Sequence, residues 1–328
     1  MRWALVGASR IAREWMIDAL RAQGHEVLGV FSRDAARAAQ LAHEWQLPQH
    51  TDRLEALRDW GVEAVYISST NEQHEAQTLF AAAQGWHVLC EKPLATSLAA
   101  AQRMVQACEA AGVVLGTNHH LRHHAAHRHA RALLRQGAIG RVLSARVQHA
   151  IYLRPMLQGW RVDSAAAGGG VVLDIAVHNA DLLAFLLDET PHEVMAMCAS
   201  SGMGRGVEDQ ALSVWRFPSG VIASTHQAFN TPHAPTGLEL LGDQGALVGQ
   251  GVLSQRAQGQ LWLQTEAGQV LQPLETVNLY ERGLQAFADA VAGRPNELAD
   301  GRAGLRSLAV ALAILRSAET GRSEPVVC

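Results

Sequence analysis

Asp174 and His178 stand four residues apart in a stretch with helical apolar spacing, so their side chains share one helix face, and Asp181 follows three residues later. A histidine titrates near pH 6.5 and can hand a proton to a developing alkoxide at neutrality. Lys92 closes the apolar run Val88-Leu89-Cys90-Glu91-Lys92 and is followed by Pro93, which stiffens the turn. Function in a parallel sheet gathers at the carboxyl ends of strands, and an ammonium placed there could steady the same oxygen as its charge appears. An acid and a cation are what carbonyl reduction needs, since hydride goes to carbon and a proton to oxygen. Both residues also have a plainer reading. Lys92 could be a surface lysine beside a turn proline, and His178 a helix residue bonded to Asp174.

Hydride needs a nicotinamide carrier, and the N-terminus offers a cradle for one. Residues 2–6 read as a buried strand, Gly7 as a tight turn, and Ala8-Ser9-Arg10-Ile11-Ala12 as a helix start whose unpaired N–H groups would face a pyrophosphate. The usual fingerprint is G-x-G-x-x-G or G-x-G-x-x-A; here Ser9 takes the second glycine's place and Ala12 the last. Further short apolar runs at 27–31, 64–68, 87–90 and 113–117 alternate with helical spacing at 35–45, 74–84 and 98–111. Gly24, Gly61, Gly85 and Gly112 fall where helix C-caps are expected. The alternation implies an α/β, doubly wound parallel sheet. At the end of the second strand stand Ser32, Arg33 and, a turn later, Arg37, while Asp34 is placed to cap the next helix. A small polar group with cations suits a 2′-phosphate, so the expected cofactor is NADP(H).

The pattern changes near residue 120, which gives domains 1–120 and 121–328. The second half reads as a helix at 125–136, an extended stretch at 142–153, a helix at 175–187, and strands at 194–199, 210–217, 221–229, 237–242 and 245–248. Pro218-Ser219-Gly220 is a hairpin turn. Residues 249–260 read as a pair of strands with turns, and helices at 279–291 and 303–319 close the chain. This is an α+β domain with a largely antiparallel open sheet. The run Gly168-Gly169-Gly170 either lets backbone approach a ligand or is a flexible loop.

The cradle, Glu91-Lys92-Pro93, and the segment from Gly168 through Leu173-Asp174-Ile175-Ala176-Val177-His178 together resemble the glucose-fructose oxidoreductase and inositol dehydrogenase (GFO/IDH/MocA) family. Ile11-Ala12-Arg13-Glu14-Trp15, Thr70-Asn71-Glu72, Gly116-Thr117-Asn118-His119-His120-Leu121-Arg122 and Gln158-Gly159-Trp160-Arg161 are similar to a branch that reduces a cyclic sugar ketone with NADPH. The resemblance implies that Lys92 and His178 converge on the reacting carbon, with Asp174 beside them. It implies cofactor contacts from Gly7, Ser9, Arg10, Ile11 and Ala12, then from Ser69, Thr70, Asn71 and His74, and from Glu91, Lys92, Asn118, Trp160 and Arg161. Substrate contacts would come from Lys92, His119, Trp160, Arg161, Asp174 and His178. An indole face with a guanidinium fork suits a polyhydroxylated ring. Another sugar or inositol dehydrogenase of the same family is the alternative. Whether the chain is a monomer or a homo-oligomer is left open.

Composition bounds the other classes. With 328 residues, 48% of them hydrophobic, the chain can build two cores. The 27 basic and 31 acidic residues give a net charge of −4 without a basic stripe, which argues against nucleic acid as a partner. No leader-like segment and no run near the ~18 apolar residues of a membrane helix is present, so a cytoplasmic protein without membrane contact is expected. Cys90, Cys108, Cys198 and Cys328 lack metal-type spacing and suit a reducing compartment. One cluster pulls elsewhere: His119, His120, His123, His124, His127 and His129 include i,i+4 pairs of the kind that bind metal on an exposed helix. They carry a second reading, a metal-binding protein or metal-dependent hydrolase; no acidic residue accompanies them, so no metal is expected. A regulatory protein that binds NAD(P) without turnover is a third reading, and the presence of Lys92 and His178 weighs against it.

Overall fold

The computed structural model describes residues 1–328, which divide into two units. The first comprises Met1–Asn118 and Tyr280–Leu305. Its six parallel strands are β1 (Arg2–Val6), β2 (Glu26–Phe31), β3 (Gln49–Thr51), β4 (Ala64–Ile67), β5 (His87–Cys90) and β6 (Leu115–Thr117), in the order β3-β2-β1-β4-β5-β6. The chain lays β2 and β3 on one side of β1 and then crosses to β4 on the other, so the topological switch lies between β1 and β4. Helices Ala35–Trp45, His74–Ala83 and Leu98–Ala110 make the crossovers. Two of them are capped by local chemistry, with Asp34 accepting from Arg37 N at 3.1 Å and Ser97 from Ala100 N at 3.2 Å.

The sequence boundary at residue 120 needs correcting, because residues 280–305 return to this first unit. Helix Leu279–Val291 inserts Tyr280, Leu284 and Phe287 into the core formed by Trp3, Leu5, Met16, Leu20 and Leu41. Phe287 packs on Trp3 with ring centroids 5.2 Å apart, and Tyr280 stacks on Trp15 at 5.5 Å. Thr117 N donates to Ala299 O at 2.7 Å, extending the β6 edge. An aromatic face on a C-terminal helix reads as core in either domain, so the spacing alone did not assign it.

The second unit comprises His119–Leu279 and Arg306–Cys328. Its nine strands are β7 (Val142–Ala150), β8 (Glu193–Ala199), β9 (Gln210–Arg216), β10 (Ile222–Ala228), β11 (Gly237–Gly242), β12 (Ala246–Gln250), β13 (Gln260–Thr265), β14 (Gly268–Leu271) and β15 (Glu324–Pro325). They are ordered β14-β13-β12-β11-β7-β10-β9-β8-β15, and every pair is antiparallel except β7 with β10. Alternation sets the faces: Val194, Ala196, Ala211, Trp215 and Ala223 are buried, while Met195, Met197, Leu212, Val214 and Ile222 are exposed. The expected strand pair at 249–260 is displaced, since β13 begins only at Gln260 and β12 already ends at Gln250. The intervening stretch is rich in Gly, Gln and Ser and satisfies its backbone locally, as where Arg256 N bonds Ser254 Oγ. No helix is long and apolar enough to cross a membrane.

Candidate active site

The dinucleotide cradle sits at the switch between β1 and β4. Gly7 follows β1 with φ of +119°, and a Cβ there would fall 2.8 Å from Ser69 N and 2.9 Å from the Ser68 carbonyl carbon. Only glycine fits so close an approach. Ser9 Oγ accepts from Ala12 N at 3.1 Å and donates to Ser68 Oγ at 2.7 Å, so the residue replacing the fingerprint's second glycine caps the helix and ties the two strand ends together. The helix opens with a π turn, Ala12–Met16, before Ile17–Ala22. Of the neighbouring candidates, Arg10 pairs with Glu14 at 2.5 Å, Ser69 bonds Gln77 at 2.6 Å and Thr70 bonds Glu72 at 2.6 Å. Arg33 and Arg37 are exposed beyond β2, and Ser32 Oγ accepts from Asp34 N at 3.3 Å. These features fit a bound dinucleotide, because the glycine leaves room at the strand end and the adjoining helix presents its N-terminus.

Lys92 is half-buried just after β5, and its neighbours are fixed. Glu91 Oε1 accepts from Tyr66 Oη and from Asn118 Nδ2, each at 2.6 Å, and all three residues are buried. Burial pushes the Glu91 carboxyl up, against the pull of those two donors. His74 has no exposed surface; Nδ1 lies 3.0 Å from Pro93 O and Nε2 3.3 Å from Ser69 O. The ring is therefore fully enclosed by the segments that follow β4 and β5. Burial lowers its pKa, which favours the neutral ring.

In the second unit, Asp174 belongs to a π turn, Val172–Ala176, and His178 to the following helix, Val177–Leu187. The glycine run ahead of them is neither open nor loose. A Cβ on Gly169 would lie 2.5 Å from Trp160 O, and one on Gly170 (φ +102°) would lie 2.3 Å from Glu208 Oε1. Glu208 in turn accepts from Val172 N at 2.9 Å and so caps the element. The resulting turn brings Arg161 Nε to 3.6 Å from Asp174 Oδ1 and lays the Arg161 guanidinium over the Trp160 ring at 4.5 Å. His178 is buried among imidazoles, with ring centroids at 4.7 Å to His120, 5.8 Å to His119 and 6.4 Å to His149. His119 Nε2 lies 2.9 Å from Ser307 Oγ, and His149 Nδ1 2.9 Å from Asn179 Oδ1.

The histidine cluster is not the exposed helix its spacing suggested. His120–His123 form a 3₁₀ turn, the backbone is extended at His124, and the α-helix starts only at Ala125, so the i,i+4 pairs never share one helical face. His119, His120, His123, His124 and His127 are all buried. No group of three or more His, Cys, Asp or Glu side chains is arranged to hold a metal ion. Sequence reasoning missed Tyr66, His149, Asn179 and Glu208. The first three lie within strand or helix runs with nothing to mark them, whereas the adjacent acids Glu208-Asp209 beside strand β9 were a readable signal.

Residues 1–119 match the oxidoreductase family with an NAD-binding Rossmann fold, and residues 127–248 match the GFO/IDH/MocA C-terminal domain. Over 327 residues the chain is 49% identical to the 1,5-anhydro-D-fructose reductase of Ensifer adhaerens, covering 99% of this chain and 98% of that protein. It is 29% identical to D-xylose 1-dehydrogenase (NADP(+)) 2 of Haloferax volcanii over 98% of each. Its fold superposes on the aldose-aldose oxidoreductase of Caulobacter crescentus with a TM-score of 0.90, covering 99% of both chains at 26% identity. With both halves matched by the family's domains and the whole chain by a relative of 49% identity, the chain belongs to the GFO/IDH/MocA family of oxidoreductases.

Proposed function

We propose that this protein is a cytoplasmic NADPH-dependent reductase of a cyclic sugar ketone, converting 1,5-anhydro-D-fructose to 1,5-anhydro-D-mannitol. The observation that carries the reading is the end-to-end similarity, at 49% identity, to a 1,5-anhydro-D-fructose reductase. NADPH supplies the hydride when bound. Ser32, Arg33 and Arg37 are assigned to its 2′-phosphate, supported by the engagement of Asp34 as a helix cap, which leaves no second carboxylate at the tip of β2 to hold both ribose hydroxyls. Trp160 offers an aromatic face to the sugar ring, and Arg161, steadied by Asp174, a hydrogen-bonding fork. Lys92 holds its ammonium at the carbonyl oxygen and stabilises the negative charge that develops there. His178 delivers the proton to that oxygen.

The test is a steady-state comparison of sugar-derived ketones with NADPH and NADH. Anhydrofructose with NADPH is expected to give the highest kcat/KM, and simple ketoses such as fructose to be poor, because a pocket built for specific hydroxyls rejects analogues that leave polar groups unpaired. Ser32→Asp should erode the preference for NADPH. If aldose oxidation with NADP⁺ outran anhydrofructose reduction by a wide margin, the enzyme would belong with the sugar dehydrogenases, a reading that the D-xylose 1-dehydrogenase relative supports. Equal efficiency with NADH would overturn the cofactor assignment.

A further inference from the structure

Both neighbours of Lys92 in the chain are held by buried polar side chains that no step of the reduction requires. On one side, the Glu91 carboxylate takes hydrogen bonds at 2.6 Å from Tyr66 on β4 and at 2.6 Å from Asn118 just beyond β6, while Glu91 N donates to Ile67 O at 2.8 Å and Asn118 N to Cys90 O at 2.7 Å. One carboxylate thereby ties together the carboxyl ends of three adjacent strands. On the other side, His74 lies between Pro93 O at 3.0 Å and Ser69 O at 3.3 Å. A neutral imidazole donates from one nitrogen only, and the shorter contact is to the residue that follows Lys92.

Burying a carboxylate costs several kcal/mol unless donors repay the lost water, and the hydrogen bonds from Tyr66 and Asn118 offset part of that cost. Tyr66 and His74 have 0% exposure. Neither can touch a bound molecule, and any effect they have on turnover must pass through the residues they hold. The titratable groups facing Glu91 are Tyr66 and Lys92, with the Cys90 thiol behind it.

We propose that Tyr66, Asn118 and His74 are positioning residues for Lys92, forming a two-sided brace that fixes the segment 91–93 so that the ammonium meets the substrate carbonyl without rearrangement. The inference rests on Lys92 acting in the proposed reduction. It reassigns the side chains of Glu91, Asn118 and His74 from cofactor contact to support of the lysine.

Tyr66→Phe removes one donor and keeps the packing, His74→Ala removes the second side, and His74→Asn restores a donor near the place of Nδ1. Each variant is measured for kcat and KM across pH 5 to 9, for NADPH affinity by fluorescence titration without sugar, and for hydrogen exchange of the Glu91, Lys92 and Leu94 amides without cofactor. For Tyr66→Phe, kcat is expected to fall about tenfold, the worth of one charge-assisted hydrogen bond, with NADPH affinity within about twofold of wild type. The acid limb of its kcat profile should move to higher pH, because a carboxylate that has lost a donor protonates sooner as pH falls. The amides of Glu91, Lys92 and Leu94 should exchange faster in Tyr66→Phe and His74→Ala, and His74→Asn should recover both exchange protection and kcat. Unchanged exchange and an unmoved acid limb in Tyr66→Phe would overturn the brace, as would a fall in kcat/KM matched by an equal loss of NADPH affinity. Failure of the substrate assignment is separately visible, since it would appear in the wild-type enzyme while the exchange measurement still decides the brace.

Discussion

Asp181, three residues beyond His178, looked in the sequence like a third member of the acid-base set. It is instead one half of a buried ion pair with Arg122, whose Nε donates to Asp181 Oδ2 at 2.9 Å and whose Nη2 donates to Oδ1. Burial opposes the charge, yet the Arg122 guanidinium, aided by His119 and His123, holds the Asp181 carboxyl below the usual range. Asp181→Asn would strand a guanidinium that is only 10% exposed, and a loss of about 3–5 kcal/mol is expected in a denaturant titration. His178→Ala should act differently, lowering kcat by roughly 10²–10⁴-fold while leaving folding and NADPH binding near wild type. Lys92→Ala should be at least as damaging, and either variant turning over at wild-type rate would remove that residue from the chemistry. Lys92, Asp174 and His178 were legible as candidates because their types and positions in strand and helix are themselves the signal. Their supports were not, since Arg122 and Asp181 are 59 residues apart and a buried Tyr66 reads as one more apolar strand position.

The elements that carry these residues begin with irregular turns. The π turn Val172–Ala176 leads into the helix of His178, and its first amides are satisfied from outside, by Glu208 on Val172 N. Glu208→Ala should cost about 1–2 kcal/mol in stability and lower kcat more than it raises KM, the pattern expected if the helix loses its register but the pocket survives. Restoration of kcat by Glu208→Gln would support the capping role. The turn at 120–124 has a pH consequence. Burial, with His124 and His149 adding, pushes His127 down to about 3, and its Nδ1 contacts Leu121 O at 2.7 Å. The unfolded chain therefore binds a proton below about pH 6.5 that the folded chain refuses until about 3. Stability from this group is complete above pH 6.5 and is lost as pH falls toward 3, at up to ~1.4 kcal/mol per pH unit. A His127→Gln variant should show a flatter denaturation midpoint between pH 6.5 and 4; an unchanged slope would mean the histidine does not govern acid lability. The long regular elements were readable from periodicity alone. Three-residue strands such as β3, the break at His124 and the late start of β13 were not, because runs so short are decided by neighbours remote in sequence.

At the level of the whole chain, the first unit is discontinuous: its sheet comes from residues up to Asn118, and part of its core from Tyr280–Leu305. The doubly wound sheet and the open antiparallel one could both be read from the order of apolar runs, but which of them would receive the last helices could not. A fragment of residues 1–118 would lack Tyr280, Leu284 and Phe287 against Trp3 and Trp15. It is expected to bind a hydrophobic dye and to melt without a cooperative transition, whereas a sharp transition would show that the sheet is self-sufficient. Dialysis of the full protein against a strong chelator should leave NADPH oxidation unchanged, and recovery only with zinc would return the histidine cluster to the chemistry.

That discontinuity also sets a clock. A ribosome adding ~5–20 residues per second needs roughly 10–40 s to travel from the end of the first sheet to the segment that seals it. Throughout that interval eight of the second unit's nine strands emerge while the flank of Trp3 and Trp15 stays open to water or to a chaperone. Any premature stop before residue 280 thus releases a chain whose earliest-made unit still lacks part of its core.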